Sequence, residues 1–272
     1  MNCYKQNLHT HSIYCDGKNT PEEMVKRAIE LGFDTIGFSG HSNTKFDITW
    51  HMTQEKNLLY IDEINRLKEK YKPEITVLLG LEYEMFSDRP AEGYDYLIGS
   101  SHFVNTKEGE ISFDEAAEDV KAIIDKYFDG QGINLAKEYY RQLAHLFEYG
   151  DFDIVGHFDI VAKHAEKHGF FDTQSKEYQS YALEALHALS KKQRVFEVNV
   201  GAIARGYTTK PYPAPFILKE MQRLGHIVII TSDCHNKDFL NKNFDMGLEL
   251  IKSCGFTSVG VMKNGKIQEE KI

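Results

Sequence analysis

Apolar residues along this chain recur in two alternating rhythms. Short runs rich in β-branched and aromatic residues read as buried strands: "DTIGFS" at 34–39, "ITVLLGLE" at 75–82, "DYLIGSS" at 95–101, "FDIVGH" at 152–157, "VFEVNV" at 195–200 and "HIVIITS" at 226–232. Residues 5–9 read as one more strand. Between the runs, apolar positions fall three and four apart, as on one face of a helix. The first helix is marked at both ends, because Thr20-Pro21-Glu22-Glu23 offers a capping box with proline at the first helical position and Gly32 comes after the last turn. Met24, Val25, Ala28, Ile29 and Leu31 give it a buried stripe. The same spacing predicts helices at 54–71, 114–128, 134–149, 175–192, 214–224 and 244–254. "TSVGVMKNGKIQEE" predicts a last strand and a hairpin turning at Asn264-Gly265.

Strands separated by helical crossovers imply a parallel sheet. Seven such units without a linker rich in proline, glycine or serine predict an α/β barrel, one domain spanning residues 1–272, rather than an open sheet. Residues 103–151 form the longest connection, with two helices of their own, and are expected over the barrel mouth. Composition agrees: 42% hydrophobic and 27% charged residues suit a large buried core. The net charge of −9, with no basic cluster longer than Lys191, Lys192 and Arg194, argues against nucleic acid or an acidic membrane as partner. No apolar run approaches a membrane span and "MNCYKQNLHTH" has no hydrophobic signal core, so a cytoplasmic protein is expected. Cys3, Cys15, Cys234 and Cys254 form no CxxC pair, and are expected to be reduced and without a role.

Residues able to do chemistry cluster just past the end of each apolar run. The first strand leads into His9 and His11, with Asp16 on the loop beyond; the second into His41; the third ends in Glu82; the fourth leads into His102, the fifth into His157 and the seventh into Asp233 and His235. A parallel barrel gathers the C-terminal ends of its strands on one face, where such enzymes place their reactive groups. The other histidines, His51, His145, His164, His168, His187 and His226, fall on helices, in loops or at a strand start, and are read as structural or surface residues. Imidazole and carboxylate without thiolate suit zinc, iron or manganese. Nine such ligands are too many for one ion and about right for two or three divalent transition-metal ions, with Glu82 available to bridge. Ions that share and activate a water make hydrolysis natural, most readily of a phosphate ester. Arg205, in "NVGAIARG", is the best placed guanidinium to grip a phosphate with two parallel hydrogen bonds, and Lys163 in "HFDIVAKH" is a second substrate-binding candidate.

The series "HTH…D", "SGHS", "GLEYE", "SSHF", "GHFD" and "SDCH" resembles the polymerase and histidinol phosphatase (PHP) superfamily over nearly the whole chain. Within it, "HSNTKFDITWHMT", "EINRLKEKY", "YYRQLAHLFEYGDFDIVGHFDIV" and "FEVNVGAIARGYTTKPYP" are similar to segments of its histidinol-phosphate phosphatase branch. The resemblance implies a distorted (β/α)7 barrel with a trinuclear metal cleft and hydrolysis of L-histidinol phosphate to L-histidinol and phosphate, in histidine biosynthesis. It implies that His9, His11, Glu82 and Asp233 hold one ion, Glu82, His102 and His157 a second, and Asp16, His41 and His235 a third. Aspartate at 16, where many superfamily members have histidine, is similar to the phosphatase branch. One departure is Ala162-Lys163, where relatives often carry arginine, which shifts the expected phosphate contact toward Arg205 and the metals.

The expected mechanism is in-line attack of activated water on phosphorus without a protein nucleophile. Asp233 or His235, at the edge of the site, is the catalytic candidate for moving a proton to the leaving alkoxide. The alternative within the same fold is a phosphatase or phosphodiesterase for another small phosphoester, such as a nucleotide. Amidohydrolase-type barrels also open on His-x-His, but they commonly bridge two metals with a modified lysine where this chain offers Glu82. A binding module without turnover would be expected to have lost ligands, and all nine are present. Metal identity and oligomeric state stay open at this level.

Overall fold

The computed structural model describes residues 4–44, 50–87, 91–192 and 194–272. In chain order it begins β1 (Gln6–Asn7), α1 (Pro21–Glu30), β2 (Thr35–Phe38), α2 (Gln54–Tyr71), β3 (Thr76–Glu84) and β4 (Tyr96–Ser100). The long connection comes next, made of β5 (Phe103–Thr106), β6 (Gly109–Ser112), α3 (Ala117–Tyr127) and α4 (Gly132–Leu143). Then come β7 (Ile154–Val155), α5 (Ala165–His168), α6 (Lys176–Leu189), β8 (Val195–Asn199), α7 (Gly201–Ala204), α8 (Pro215–Arg223), β9 (Ile227–Thr231) and α9 (Phe244–Ser253). The chain finishes with β10 (Ser258–Lys263) and β11 (Lys266–Lys271). Among the described residues no helix is long and apolar enough to cross a membrane.

Seven strands form one parallel sheet in the order β1-β2-β3-β4-β7-β8-β9. The sheet curls into a nearly closed barrel, the expected (β/α)7 fold, whose seam lies between β1 and β9. There the Cys234 N–H donates to the His9 carbonyl at 3.0 Å and the His11 N–H to the Cys234 carbonyl at 2.9 Å. β1 is shorter than residues 5–9 because the Asn7 side chain takes over the ladder: Oδ1 accepts from the His9 N–H at 3.1 Å, and Nδ2 donates to Ser232 Oγ at 2.6 Å. β3 in turn runs two residues past Glu82, to Glu84.

Tyr96 fills the barrel interior with Leu8, Ile98, Ile154, Ile229 and Met262. A Cβ on Gly37 would lie 2.3 Å from the Tyr96 hydroxyl and one on Gly80 2.2 Å from its ring, so β2 and β3 leave the hole that this side chain occupies. Its phenol donates to the Leu8 carbonyl at 2.5 Å, tying β4 to the end of β1 across the interior. The remaining apolar faces meet the helices in the larger core outside the sheet.

The C-terminal hairpin β10–β11 turns at Asn264 (φ 51°) and Gly265 (φ 72°), as the Asn-Gly pair predicts. It packs on β9 and braces the seam, where Gln6 Nε2 donates to the Gly260 carbonyl at 3.2 Å and Gln6 Oε1 accepts from the Met262 N–H at 2.8 Å. The connection 103–151 differs from the reading of two helices alone, since it opens with the antiparallel hairpin β5–β6, whose few apolar residues leave a weak strand signal. α4 packs in the outer layer against α6 and β5, and Asp114 brings this segment to the cleft.

Candidate metal centre

Glu82, fully buried on β3, has five imidazoles around its carboxylate. Oε1 lies 2.8 Å from His157 Nε2 and 3.3 Å from His102 Nε2. Oε2 lies 2.9 Å from His41 Nδ1, 3.2 Å from His9 Nε2 and 3.5 Å from His11 Nε2. Burial raises the pKa of such a carboxyl, yet the imidazoles, His9 foremost, hold it well below the ordinary value. Each histidine comes from the C-terminal end of a different strand or from the turn after β1, which is how residues as distant as 9 and 157 meet.

All nine strand-end candidates fall in this cleft. Their ligand atoms form four groups, each within 4.8 Å: His9, Glu82 and His157; His41, Glu82 and His102; His9, His11 and Asp233; and His11, Asp16, His41 and His235. Compared with the three sets implied by family resemblance, His11 also stands with Asp16, and His9 with His157. Asp233 takes a left-handed backbone (φ 45°), uncommon for a residue with a Cβ. The six other histidines join none of these groups among the described residues. His226, for instance, contacts Ser190 Oγ at 2.7 Å, and His164 Nε2 the Glu115 carbonyl at 2.9 Å.

The donors fit divalent cations. His9 Nε2, His11 Nε2 and Glu82 Oε2 are buried with no hydrogen-bond partner. Three orphaned polar atoms converging on one point would be costly unless a cation satisfies them. Burial, then the neighbouring His235 and His41, lowers His11 to about 3, so it presents the neutral imidazole that binds metal. The thiols take no part: burial first, then the Asp16 charge, pushes Cys15 up to about 12. Burial likewise pushes Cys234 up to about 12. Cys15, Cys234 and Cys254 are free, and Cys3 lies outside the described residues.

Two glutamates that the strand-end reading passed over orient the ring. Glu197, wholly buried on β8, accepts from His9 Nδ1–H at 2.6 Å through Oε1 and from the His157 N–H at 2.7 Å through Oε2. Glu84 Oε2 accepts from His102 Nδ1–H at 3.0 Å and from the His102 N–H at 2.8 Å. In both histidines a proton fixed on Nδ1 leaves Nε2 as the donor aimed at Glu82. A signal for them exists in the sequence: each is a charged residue inside an apolar strand, and Glu84 shares a face with Glu82 by the period of two.

Arg205 lies just after α7 and is less free than a lone phosphate-gripping fork. Nη2 donates to Asp233 Oδ2 at 2.9 Å and Nη1 to the Asp233 carbonyl at 3.1 Å, with His235 Nδ1 2.8 Å from Nη1. Burial raises the Asp233 pKa, but Arg205 and then His9 hold it well below the ordinary value. His235 Nε2 is 3.0 Å from Asp16 Oδ2. Lys163 lies on the same cleft, paired with Asp114 Oδ1 at 2.7 Å, and its Nζ sits 4.4 Å from the centre of the Tyr207 ring. The cleft encloses about 320 Å³, a small-molecule volume.

The chain is 24% identical over 284 residues to the probable histidinol-phosphatase of Schizosaccharomyces pombe, covering 94% of this chain and 89% of that protein. It is 25% identical to the histidinol-phosphatase of Lactococcus lactis, covering 98% and 97%. Among solved structures it superposes on Lactococcus lactis histidinol phosphate phosphatase, determined with zinc, L-histidinol and phosphate, with a TM-score of 0.72 at 21% identity, covering 97% and 98%. The profile of the PHP domain matches residues 7–201, which include seven of the nine ring residues. The chain therefore belongs to the PHP domain family.

Proposed function

We propose that this protein is a metal-dependent phosphomonoesterase that hydrolyses L-histidinol phosphate to L-histidinol and phosphate. The carrying observation is the convergence of five histidines on the buried Glu82, with unpartnered ligand atoms on His9, His11 and Glu82 itself. The relatives with names for this activity align over nearly their whole length, which supports the choice of substrate. Residues 202–272 supply β9, Arg205, Asp233 and His235, so we read 1–272 as one catalytic domain. That reading brings histidine biosynthesis and a cytoplasmic setting with it.

Two or three divalent ions, zinc, iron or manganese, held by the nine ligands would polarise a phosphoryl oxygen and make water acidic enough to attack near neutral pH. The protein's own groups do the rest. Arg205, through its Nε and the remaining Nη2 hydrogen, is placed to hold phosphoryl oxygens while Asp233 anchors the other side of its guanidinium. Asp233, kept ionised by that pair, is a poor proton donor, and His235, with Nε2 among the ligand atoms beside Asp16 and Nδ1 against Arg205, has no proton free either, so the leaving alkoxide would take its proton from water at the rim. Lys163 lines the same cleft, its charge shared with Asp114. A panel of phosphomonoesters assayed with zinc-, iron- and manganese-loaded protein tests the assignment: L-histidinol phosphate is expected to be hydrolysed with the highest kcat/KM, and preference for a nucleotide would replace it with the broader phosphatase reading.

A further inference from the structure

Four carboxylates line the cleft: Asp16, Glu82, Asp233 and Asp114. The first three stand in the ligand-atom groups, whereas Asp114 belongs to none among the described residues. A carboxylate outside the ligand groups works against a pocket that receives a phosphate dianion, because it offsets the charge of Lys163 that would otherwise attract it. Its origin is also separate from the barrel: it stands between β6 and α3, on the long connection, and that segment brings it to the mouth.

The geometry says what this carboxylate is free to do. Lys163 Nζ pins Oδ1 at 2.7 Å, and no protein donor among the described residues reaches Oδ2. The side chain lines the cleft and keeps 25% of its surface exposed. Lys163, held against the Tyr207 ring, fixes the carboxylate in place rather than leaving it to swing. An oriented carboxylate with one open oxygen is a receptor for an N–H cation, through a charge-assisted hydrogen bond.

We propose that Asp114 is a specificity residue that selects phosphomonoesters whose alcohol carries an ammonium group, accepting that group on Oδ2 while the phosphate lies toward Arg205 and the metal ligands. This rests on the phosphomonoesterase reading and names its substrate class, the phosphates of amino alcohols. A bare alkyl phosphate fills the same cleft but offers Asp114 Oδ2 no hydrogen-bond donor.

The test uses the zinc-loaded full chain and two esters of equal size, 2-aminoethyl phosphate and propyl phosphate, which differ in the cation alone. Wild type is expected to favour the amino ester by at least about tenfold in kcat/KM, and Asp114→Asn to lose most of that preference, in line with a single charge-assisted hydrogen bond. A wild-type ratio near one overturns the proposal without any variant. An equal fall for both esters in Asp114→Asn overturns it too, assigning Asp114 to holding Lys163. If wild type turns over neither ester yet cleaves L-histidinol phosphate, an ammonium alone does not select the substrate and the proposal is overturned; if it cleaves none of the three, the phosphomonoesterase reading itself fails.

Discussion

Glu197 Oε1 lies 2.6 Å from His9 Nδ1, and the same carboxylate holds the His157 main chain through its other oxygen. One side chain on β8 thus holds two histidines that meet different oxygens of Glu82. Glu197→Gln keeps the volume but removes the charge that fixes the His9 proton on Nδ1. Zinc affinity, measured by competition with a chromophoric chelator, is expected to fall by about ten- to a hundredfold while the fold persists. Glu84→Gln should do the same through His102. Unchanged affinity in both would show that the histidines need no outer support.

The same contact sets a pH dependence. Burial lowers the His9 pKa, but Glu197, Glu82 and Asp233 together raise it well above the ordinary imidazole value, which favours a second proton on His9 in the metal-free fold. Zinc has to displace that proton. Binding is therefore expected to release protons at pH 7, and affinity to weaken as pH falls, both readable by calorimetry in buffers of different ionisation enthalpy. For the stripped protein the sign on stability is opposite: with the folded pKa raised, the His9 contribution is complete below the unfolded value of about 6.5 and is lost as pH rises through the folded value.

Glu82 is the hub, shared by two of the four ligand groups and close to five imidazoles. Removing its charge in Glu82→Gln strips the common anion from the ring. Outer-shell losses alone cost ten- to a hundredfold, so bound metal and phosphate release should both drop by more than about a hundredfold. Elemental analysis of the variant against wild type reads the first, and a phosphate assay the second.

The barrel interior makes a prediction of its own. Gly80→Ala places a Cβ 2.2 Å from the Tyr96 ring, where no terminal flexibility can absorb it, so Tyr96 has to shift and its bond to the Leu8 carbonyl with it. A loss of about 1–3 kcal/mol is expected, seen as a lower midpoint of urea unfolding. Because Leu8 directly precedes His9, a weaker zinc affinity should accompany it. A variant as stable as wild type would mean that the interior is loosely packed.

The ligand ring was legible because each donor sits at or just past the end of an apolar run, and a parallel barrel gathers those ends on one face. His9 and His11 mean little by themselves; His41, Glu82, His102, His157 and Asp233 at successive strand ends make them meaningful. What stayed hidden depends on pairings far apart in the chain. Glu197 reaches His9 across 188 positions, and the engagement of Arg205 by Asp233 spans 28, distances over which no local pattern operates. β1 stops at Asn7 because a side chain replaces the ladder, which hydrophobic alternation does not encode. The β5–β6 hairpin and the arrival of Asp114 at the cleft result from how a long connection packs, not from its own periodicity.

Metal-dependent turnover of a phosphomonoester at the Glu82 ring is the central claim. The most direct test strips the protein with chelator, adds zinc back in steps, and tracks bound zinc per chain together with phosphate released from L-histidinol phosphate. The account predicts no release from stripped protein, release that climbs with occupancy to a plateau at two or three ions per chain, and no recovery in Glu82→Gln. Release by the stripped protein at the full rate, or saturation with zinc without any release, would contradict it.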